Sequence, residues 1–584
     1  MWTAALVVRR HRSSIFSTLW RCGAVMSSAS PSEAPDVDPE PAAAQESGDE
    51  AEEGAQGAVV TAKKKKRTNK KARDLSAQRR AQPLSGAPPA QKGSRGCTLP
   101  SFDHVKHLLP WSIQVLPGRG RCAVATRAVA AGELVLLERA VAYTPRDAHA
   151  HRVCQGCLCQ LPGGGWCSQR CEDAQGETHR RLRACSTAVA AAAAAHRVDV
   201  ELLRLVAAVA DATCAVPAPG GEPDQKPLAA LPLRATGEDV RALLAPSPPS
   251  LAVQAACEAL ALAAPHLQPP GASLALLAAV INGNAHGLGA QMIASDGTGG
   301  VDVAVGLFPF LSMLNHSCAP NCVFVAAPGD AGVMAVRASR AVAAGAELCV
   351  CYVNAYEPRS VRRAATQTTK GFICQCERCA APLASSFDRF IQGAHCRACR
   401  ADVCVAPEEA PADQEEWICC GCGARDGGAG AALSRSAGAA LTEAMELYGR
   451  YGHKAAEPLL VDLLGKYEHA LNPHHVTVFD ARTPLLNCAR ARGDAAAAVT
   501  HCTAVLASLE ASQGAGAETA NFWACLGELY GARSDGAKGG LLCKAYRTRA
   551  KEAFAKAASL RTTCLGAHHP ATLAAEAKAS GRAA

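Results

Sequence analysis

Cysteine and histidine fall in this sequence in groups tight enough to surround a metal ion. Cys154 and Cys157 form one C-x-x-C pair and Cys167 and Cys171 a second short-spaced pair. Four thiolates so placed can enclose one zinc tetrahedrally, in place of a core that so small a segment cannot build. His179 and Cys185 follow on a helical stretch and supply half of a second site, with Cys159 as its third candidate ligand. Further on, "GFICQCERC" holds Cys374, Cys376 and Cys379, three thiolates that lack a fourth. Cys318, in "FLSMLNHSCAPNCVF" (310–324), is the obvious donor, and a zinc shared between the two segments would pin one onto the other. Cys396 and Cys399 with Cys419 and Cys422 make two more C-x-x-C pairs at roughly the spacing of a zinc ribbon, with Cys404 and Cys420 close by. The expectation is Zn2+ at about three sites. Clustering of this kind among 29 cysteines reads as metal binding in a reducing compartment, and argues against a secreted disulfide framework.

The elements that must position these groups are legible in outline. A chain of 584 residues with 49% hydrophobic and 19% charged residues has room for several domains with real cores. No uninterrupted apolar stretch reaches the ~18 residues of a membrane span. The net charge of +8 does not by itself make a nucleic-acid-binding domain. Between 111 and 145 the texture is short β-like runs broken by glycine, with Gly118 and Gly120 bracketing Arg119 and "AAGELVLLE" reading as a turn into a buried strand. Residues 186–281 are rich in alanine and leucine and read as packing helices, interrupted by "AVPAPGGEPDQKP" and "APSPPS". A second turn into a strand, "AAGAEL", leads to "CVCY". From about 432 the chain reads as helical. There "LNPHHVTV" and "LGAHHPATL" recur as loop entries, which predicts tetratricopeptide-like hairpins with His474, His475, His568 and His569 as capping and loop residues.

The first hundred residues carry conflicting addresses. Residues 1–30 are arginine-bearing, free of acidic residues and amphipathic, as in a transit peptide, with Met26 as a second candidate start. "KKKKRTNKKAR" (63–73) reads as a nuclear-import signal or a nucleic-acid contact. Localisation is accordingly read as nuclear, cytoplasmic or organellar, and 1–97 as an unfolded tail.

The order "GRG", the cysteine pairs, "NHSCAPN", "ELCVCY" and "FICQCERC" resembles the SET and MYND domain family of protein lysine methyltransferases, over roughly 111–425. The resemblance implies an α+β protein: a β-rich split SET domain (111–153 and 282–356) and a MYND-like zinc finger (154–185). A helical insert (186–281), a post-SET cysteine cluster with zinc ribbon (370–425) and an all-α tetratricopeptide-like region (432–584) complete it. It implies S-adenosyl-L-methionine as cofactor, held by Asn315 and His316, by Arg119 and Gly120 at the methionine end, by Asn284 (with Asn282 as an alternative register) and by Phe372 against the adenine. Tyr352 would close the lysine channel as the catalytic residue. Two departures stand out. The finger lacks the family's central C-x-x-C pair, which leaves a second zinc open. Lys370 or Gly371 stands where many members have a second tyrosine, so that either Lys370 points to solvent, or Tyr356 substitutes, or transfer is weak. The expected partners are a protein bearing the target lysine and proteins docking on the zinc and helical modules. A nucleic-acid contact is the weaker alternative, no membrane is expected, and the chain is read as a monomer. A non-catalytic adaptor on a SET scaffold is the alternative function.

Overall fold

The computed structural model describes residues 105–582 except 160, 162, 215–231, 246, 270–271, 290–301, 328–331, 408–415 and 515, and excludes the side chains of 174–179. The N-terminal tail, its basic run, the first insert loop and the glycine-rich segment before 302 lie outside the described residues.

Among the described residues there are fourteen strands: β1 Trp111–Leu116, β2 Gly120–Ala125, β3 Leu134–Arg139, β4 Tyr143–Pro145, β5 Leu233–Arg234, β6 Ala285–Gly289, β7 Asp302–Leu307, β8 Asn315–His316, β9 Cys322–Ala326, β10 Val333–Ala338, β11 Cys349–Val350, β12 Ala394–His395, β13 Val403–Val405 and β14 Ile418–Cys419. They form small sheets: the β1–β2 hairpin, β5-β3-β10-β9, β4-β7-β6, the parallel pair β11-β8, and β12-β13-β14. The hairpin closes through Gly118 and Gly120, both at positive φ (71° and 70°), a backbone region that costs an L side chain energy and glycine nothing. The pairing β8–β11 joins Asn315 to Cys349 and His316 to Val350 across a sequence gap that only a crossover can span, and this brings the two polar motifs side by side.

One core runs from Trp111 through β3, the helices Ser186–His196, Val200–Cys214 and Leu274–Asn284, and the apolar run Leu307–Leu314. Glu138 of β3 is wholly buried within it, and its two carboxylate oxygens accept the backbone N–H groups of Phe310 (2.9 Å) and Leu311 (2.8 Å). This carboxyl fixes the 3-10 turn Leu311–Met313 that delivers Asn315. Burial raises it to about 8 against the pull of the two amides, with the nearby Asp239 adding to the rise. The unfolded chain releases this proton from about 4.5, whereas the folded chain keeps it to about 8, so stability is expected to fall as pH rises across that window. Glu138→Gln is expected to flatten that slope and to cost ~1–3 kcal/mol, because its amide nitrogen cannot accept an N–H. Urea unfolding at several pH values checks both.

After β14 the described chain is helical: Ala429–Tyr451, His453–Leu471, Val476–Ala491, Ala495–Gln513, Ala517–Asp535, Gly540–Cys564 and Pro570–Ser580. Successive helices pack as neighbours around two cores. His475 and His569 are the N-caps of Val476–Ala491 and Pro570–Ser580, each Nδ1 accepting a first-turn N–H, from Thr477 (3.2 Å) and Ala571 (3.1 Å). Among the described residues no helix is long and apolar enough to cross a membrane.

Candidate active site and cysteine centres

The side-chain amide of Asn315 donates to the carbonyl oxygens of Arg119 (3.3 Å) and Arg121 (3.0 Å) and to Glu347 Oε1 (3.0 Å), and lies 3.2 Å from Cys122 Sγ. Arg119 answers with an ion pair to Glu347 Oε2 at 2.6 Å. The glycine turn, the Asn315 segment and the strand entry at Glu347 are thus tied to one another. Glu347 was not singled out from the sequence, although it stands in the quoted "AAGAEL".

His316 is buried and works in two directions. Its Nδ1 accepts the backbone N–H of Tyr352 (3.0 Å), which assigns the proton to Nε2, and Nε2 donates to Cys318 Sγ (3.2 Å). Burial first, then the Arg362 and Arg119 charges, lower it to about 4 against the pull of Cys376, so the ring is neutral at pH 7.

Tyr352 donates its hydroxyl to Leu314 O at 2.6 Å, and burial, with Cys349 and Glu347 beside it, raises it well above the ordinary phenol value. It lines a cavity of about 230 Å³ with Gly283, Asn284, Ala285, His286, Gly287, Ser312, Phe324, Cys351 and Lys370. Asn284 reaches this wall and Asn282 is exposed on the same helix end. The amide of Asn284 donates to Leu244 O (2.9 Å) and Val280 O (2.8 Å), so in this structure it fastens the helix end.

Two of the alternatives drawn for the missing second tyrosine are overturned here. Lys370 does not point to solvent: it lines the cavity, its Nζ donating to Gly283 O at 2.6 Å and lying 5.3 Å from the Tyr352 ring centroid. Tyr356 does not substitute: it is buried, its hydroxyl donates to His474 O (2.9 Å), and its ring stacks on Phe479 at 3.8 Å, within the helical region. The helix Arg359–Lys370 ends at Gly371 in the left-handed conformation (φ 77°), so that Lys370 is its last helical residue.

The residues expected around a methyl donor fit one on two observations. A Cβ at Gly118 or Gly120 would meet nothing within 4 Å, so the turn faces open space. Phe372 and Ile373 are 37% and 57% exposed, an unusual state for large apolar side chains beside a polar cleft, with Phe372's ring 6.3 Å from that of His316.

Three four-cysteine groups each place four sulfurs within 4.8 Å of one another. Cys318, Cys374, Cys376 and Cys379 come together as expected and are fully buried. Their surroundings suit four thiolates around a divalent cation, which leave a charge of minus two. Arg362 lies 3.2 Å from Cys318 Sγ and 3.7 Å from Cys379 Sγ, and with Arg359 and Arg378 it surrounds the buried carboxylate of Asp388, at 2.7, 3.3 and 2.6 Å respectively. Were such a cation bound, three guanidiniums less one carboxylate would offset the charge of the metal–thiolate unit, with Arg363 adding hydrogen bonds to Cys374 O (3.3 Å) and Cys379 O (2.9 Å). Asp388, in "SSFDRF", carries no motif and was not singled out from the sequence. Cys396, Cys399, Cys419 and Cys422 also converge, on the β12–β14 sheet, with backbone N–H groups of Cys399 and Cys422 directed at Cys396 and Cys419 sulfurs (3.5 and 3.4 Å).

The first cluster revises the sequence expectation. The group is Cys154, Cys157, Cys159 and Cys167, with Cys171 set 3.5 Å from Cys167 Sγ. Leu158 adopts a left-handed conformation (φ 54°) and Cys159 O accepts the N–H of Cys154, a tight loop that brings Cys159 into the group beside Cys171. Of the expected second half-site, only the Cys185 side chain is described. Cys185 is buried with its Sγ 3.3 Å from His266 Nε2, and the side chain of His179 lies outside the described residues.

Residues 120–353 match the family described as SET domain. The chain is 40% identical over 78 residues to the mouse (Mus musculus) histone-lysine N-methyltransferase SMYD3, a stretch covering 13% of this chain and 18% of that protein. It is 30% identical over 116 residues to the Drosophila melanogaster SET domain-containing protein SmydA-8, isoform B, covering 20% of this chain and 25% of the relative. To the Arabidopsis thaliana histone-lysine N-methyltransferase ASHR1 it is 33% identical over 75 residues, 13% of this chain and 15% of the other. The match therefore spans no more than a quarter of each of these curated relatives. Beside the paired Asn315–His316 and Cys349–Val350 strands and the thiol centre behind them, these matches show a SET domain at 120–353 and Smyd-family homologues at moderate identity over short stretches.

Proposed function

We propose that this protein is an S-adenosylmethionine-dependent protein-lysine N-methyltransferase, acting on a histone or another protein. The observation that carries the reading is the cavity in which Tyr352 stands directly behind the Asn315–His316 strand pairing. Bound S-adenosylmethionine would supply an electrophilic methyl group, held by Asn315, His316, Arg119, Gly120 and Phe372, with Asn284 in the neighbouring wall. This chain's own work is positioning. Leu314 O fixes the Tyr352 hydroxyl, His316 fixes its backbone, and the hydroxyl lone pairs are left to orient an incoming amine. The partly buried cavity wall disfavours the ammonium form of that amine. The three cysteine groups are assigned Zn2+, in a MYND-like finger, a post-SET cluster and a zinc ribbon, and the C-terminal helices are assigned as a tetratricopeptide-like surface for protein substrates.

The test is transfer of labelled methyl to histones and to lysate proteins, with donor binding measured by calorimetry. Tyr352→Phe is expected to lower kcat by ~10²-fold with donor affinity retained, and Asn315→Ala to lose donor affinity. A second reading, a non-catalytic adaptor, draws on Lys370, a cation in the cavity that a cationic substrate would enter. Donor binding without transfer to any protein would favour it.

A further inference from the structure

Lys370 is the one amine-bearing side chain lining the Tyr352 cavity, and its environment is that of a group that changes charge. The cavity wall around it is apolar or neutral. Among the described residues, the titratable groups facing it are His286 on β6 and Cys351 and Tyr352 after β11, and no carboxylate lines the cavity. Burial pulls Lys370 below its ordinary value, so the neutral amine is accessible. Once charged, the same amine is held by the Gly283 carbonyl at 2.6 Å and by the face of the Tyr352 ring. His286 is not a competitor for the proton. Burial, with the Lys370 charge beside it, lowers it to about 3, and its buried Nδ1 has no hydrogen-bond partner.

We propose that Lys370 is the proton acceptor for the incoming substrate amine, an inference that rests on the methyltransferase reading above. A substrate lysine reaches the cavity as an ammonium, and two charged amines cannot share a space of about 230 Å³ without strong repulsion. One proton passes from the substrate nitrogen to the neutral Lys370 amine, and the pair then holds a single charge. The freed lone pair forms the N–C bond to the methyl group of a sulfonium donor, the S–C bond breaks with its electron pair leaving on sulfur, and the methylated nitrogen carries the positive charge. The methylated ammonium then stands beside the charged Lys370, and their repulsion is relieved as Lys370 returns its proton to solvent and product departs. A lysine in place of a second tyrosine is then a working part of the site, because a phenol near neutral pH has no lone pair basic enough for this transfer.

Two measurements test it on the full chain. The first compares pH profiles of kcat/KM for wild type, Lys370→Met and Lys370→Arg, with donor affinity and thermal unfolding as controls of integrity. Lys370→Met and Lys370→Arg are expected to lose roughly 10²-fold at pH 7 and to approach wild type near pH ~10, where solvent deprotonates the substrate amine. The second reads Lys370 directly, without donor. Competitive acetylation across pH, quantified by mass spectrometry on the Ala364–Arg378 peptide, is expected to give a midpoint below the ordinary ~10.4 of a lysine. A loss that is the same at every pH, a variant faster than wild type at pH 7, an unshifted acetylation midpoint, or recovery of the transferred methyl on Lys370 itself would each overturn the proposal and leave the methyltransferase reading standing. Absence of any transfer by wild type from pH 7 to 10 would overturn both.

Discussion

Stripping thiolate-bound zinc with a strong chelator is expected to release about three zinc ions per chain, one for each four-cysteine group, and to collapse donor affinity together with thermal stability. A four-thiolate zinc contributes ~10–16 kcal/mol of apparent binding energy at neutral pH, more than a typical domain's net stability. The most severe consequence falls on Cys318, Cys374, Cys376 and Cys379, because Cys318 is two residues from His316 and Cys374 two from Phe372. Loss of this centre leaves Arg362 buried against protonated thiols and frees both segments that face the cleft. A chromogenic zinc assay, calorimetry with the donor and a melting curve, each before and after chelation and after re-addition of zinc, check it. Cys376→Ala should reproduce the loss at this centre and lower the released zinc by one. Full donor affinity in the stripped chain would contradict the expectation.

Replacing Asp388 carries the second large effect. Its carboxylate has no solvent exposure and meets Arg359, Arg362 and Arg378. Burial pushes its carboxyl up, yet hydrogen bonds and charge from Arg362 and Arg378 bring it net below the ordinary value. The stability it supplies is therefore present above the unfolded value of about 3.8 and lost as pH falls through the folded one. Asp388→Asn leaves buried guanidiniums without their counter-charge, and the expected cost is ~3–5 kcal/mol. The double variant Asp388→Asn with Arg378→Met should recover part of that loss in chemical denaturation, since it removes one of the stranded charges. Equal stability of wild type and Asp388→Asn would show that the thiol centre does not depend on this balance.

How much of this was legible in the sequence follows from the physics of each group. The Cys318 centre was, because C-x-C-x-x-C leaves one tetrahedral position vacant and "NHSC" offers the thiol. The ribbon-like group was, because its spacing alone sets the geometry. The entry of Cys159 into the first group was not, since it hangs on the left-handed backbone of Leu158, and leucine gives no signal of that state. Lys370 was recognised as a departure, but its direction depends on a carbonyl eighty-seven residues away. Asp388 and Glu138 were invisible for a related reason: a lone acidic residue in an apolar run acquires meaning only from partners that the fold brings in.

Tyr352 and Tyr356 sit one helical turn's worth of sequence apart, and they serve different parts of the molecule. The first lines the cavity, while the second is clamped by Phe479 and the His474 carbonyl in the C-terminal helices. The stretch between them is a short mechanical linkage with one end in each region. Any displacement of the Val476–Ala491 helix would reach the cavity wall through these few residues, and a coupling carried that way would act with equal strength in both directions.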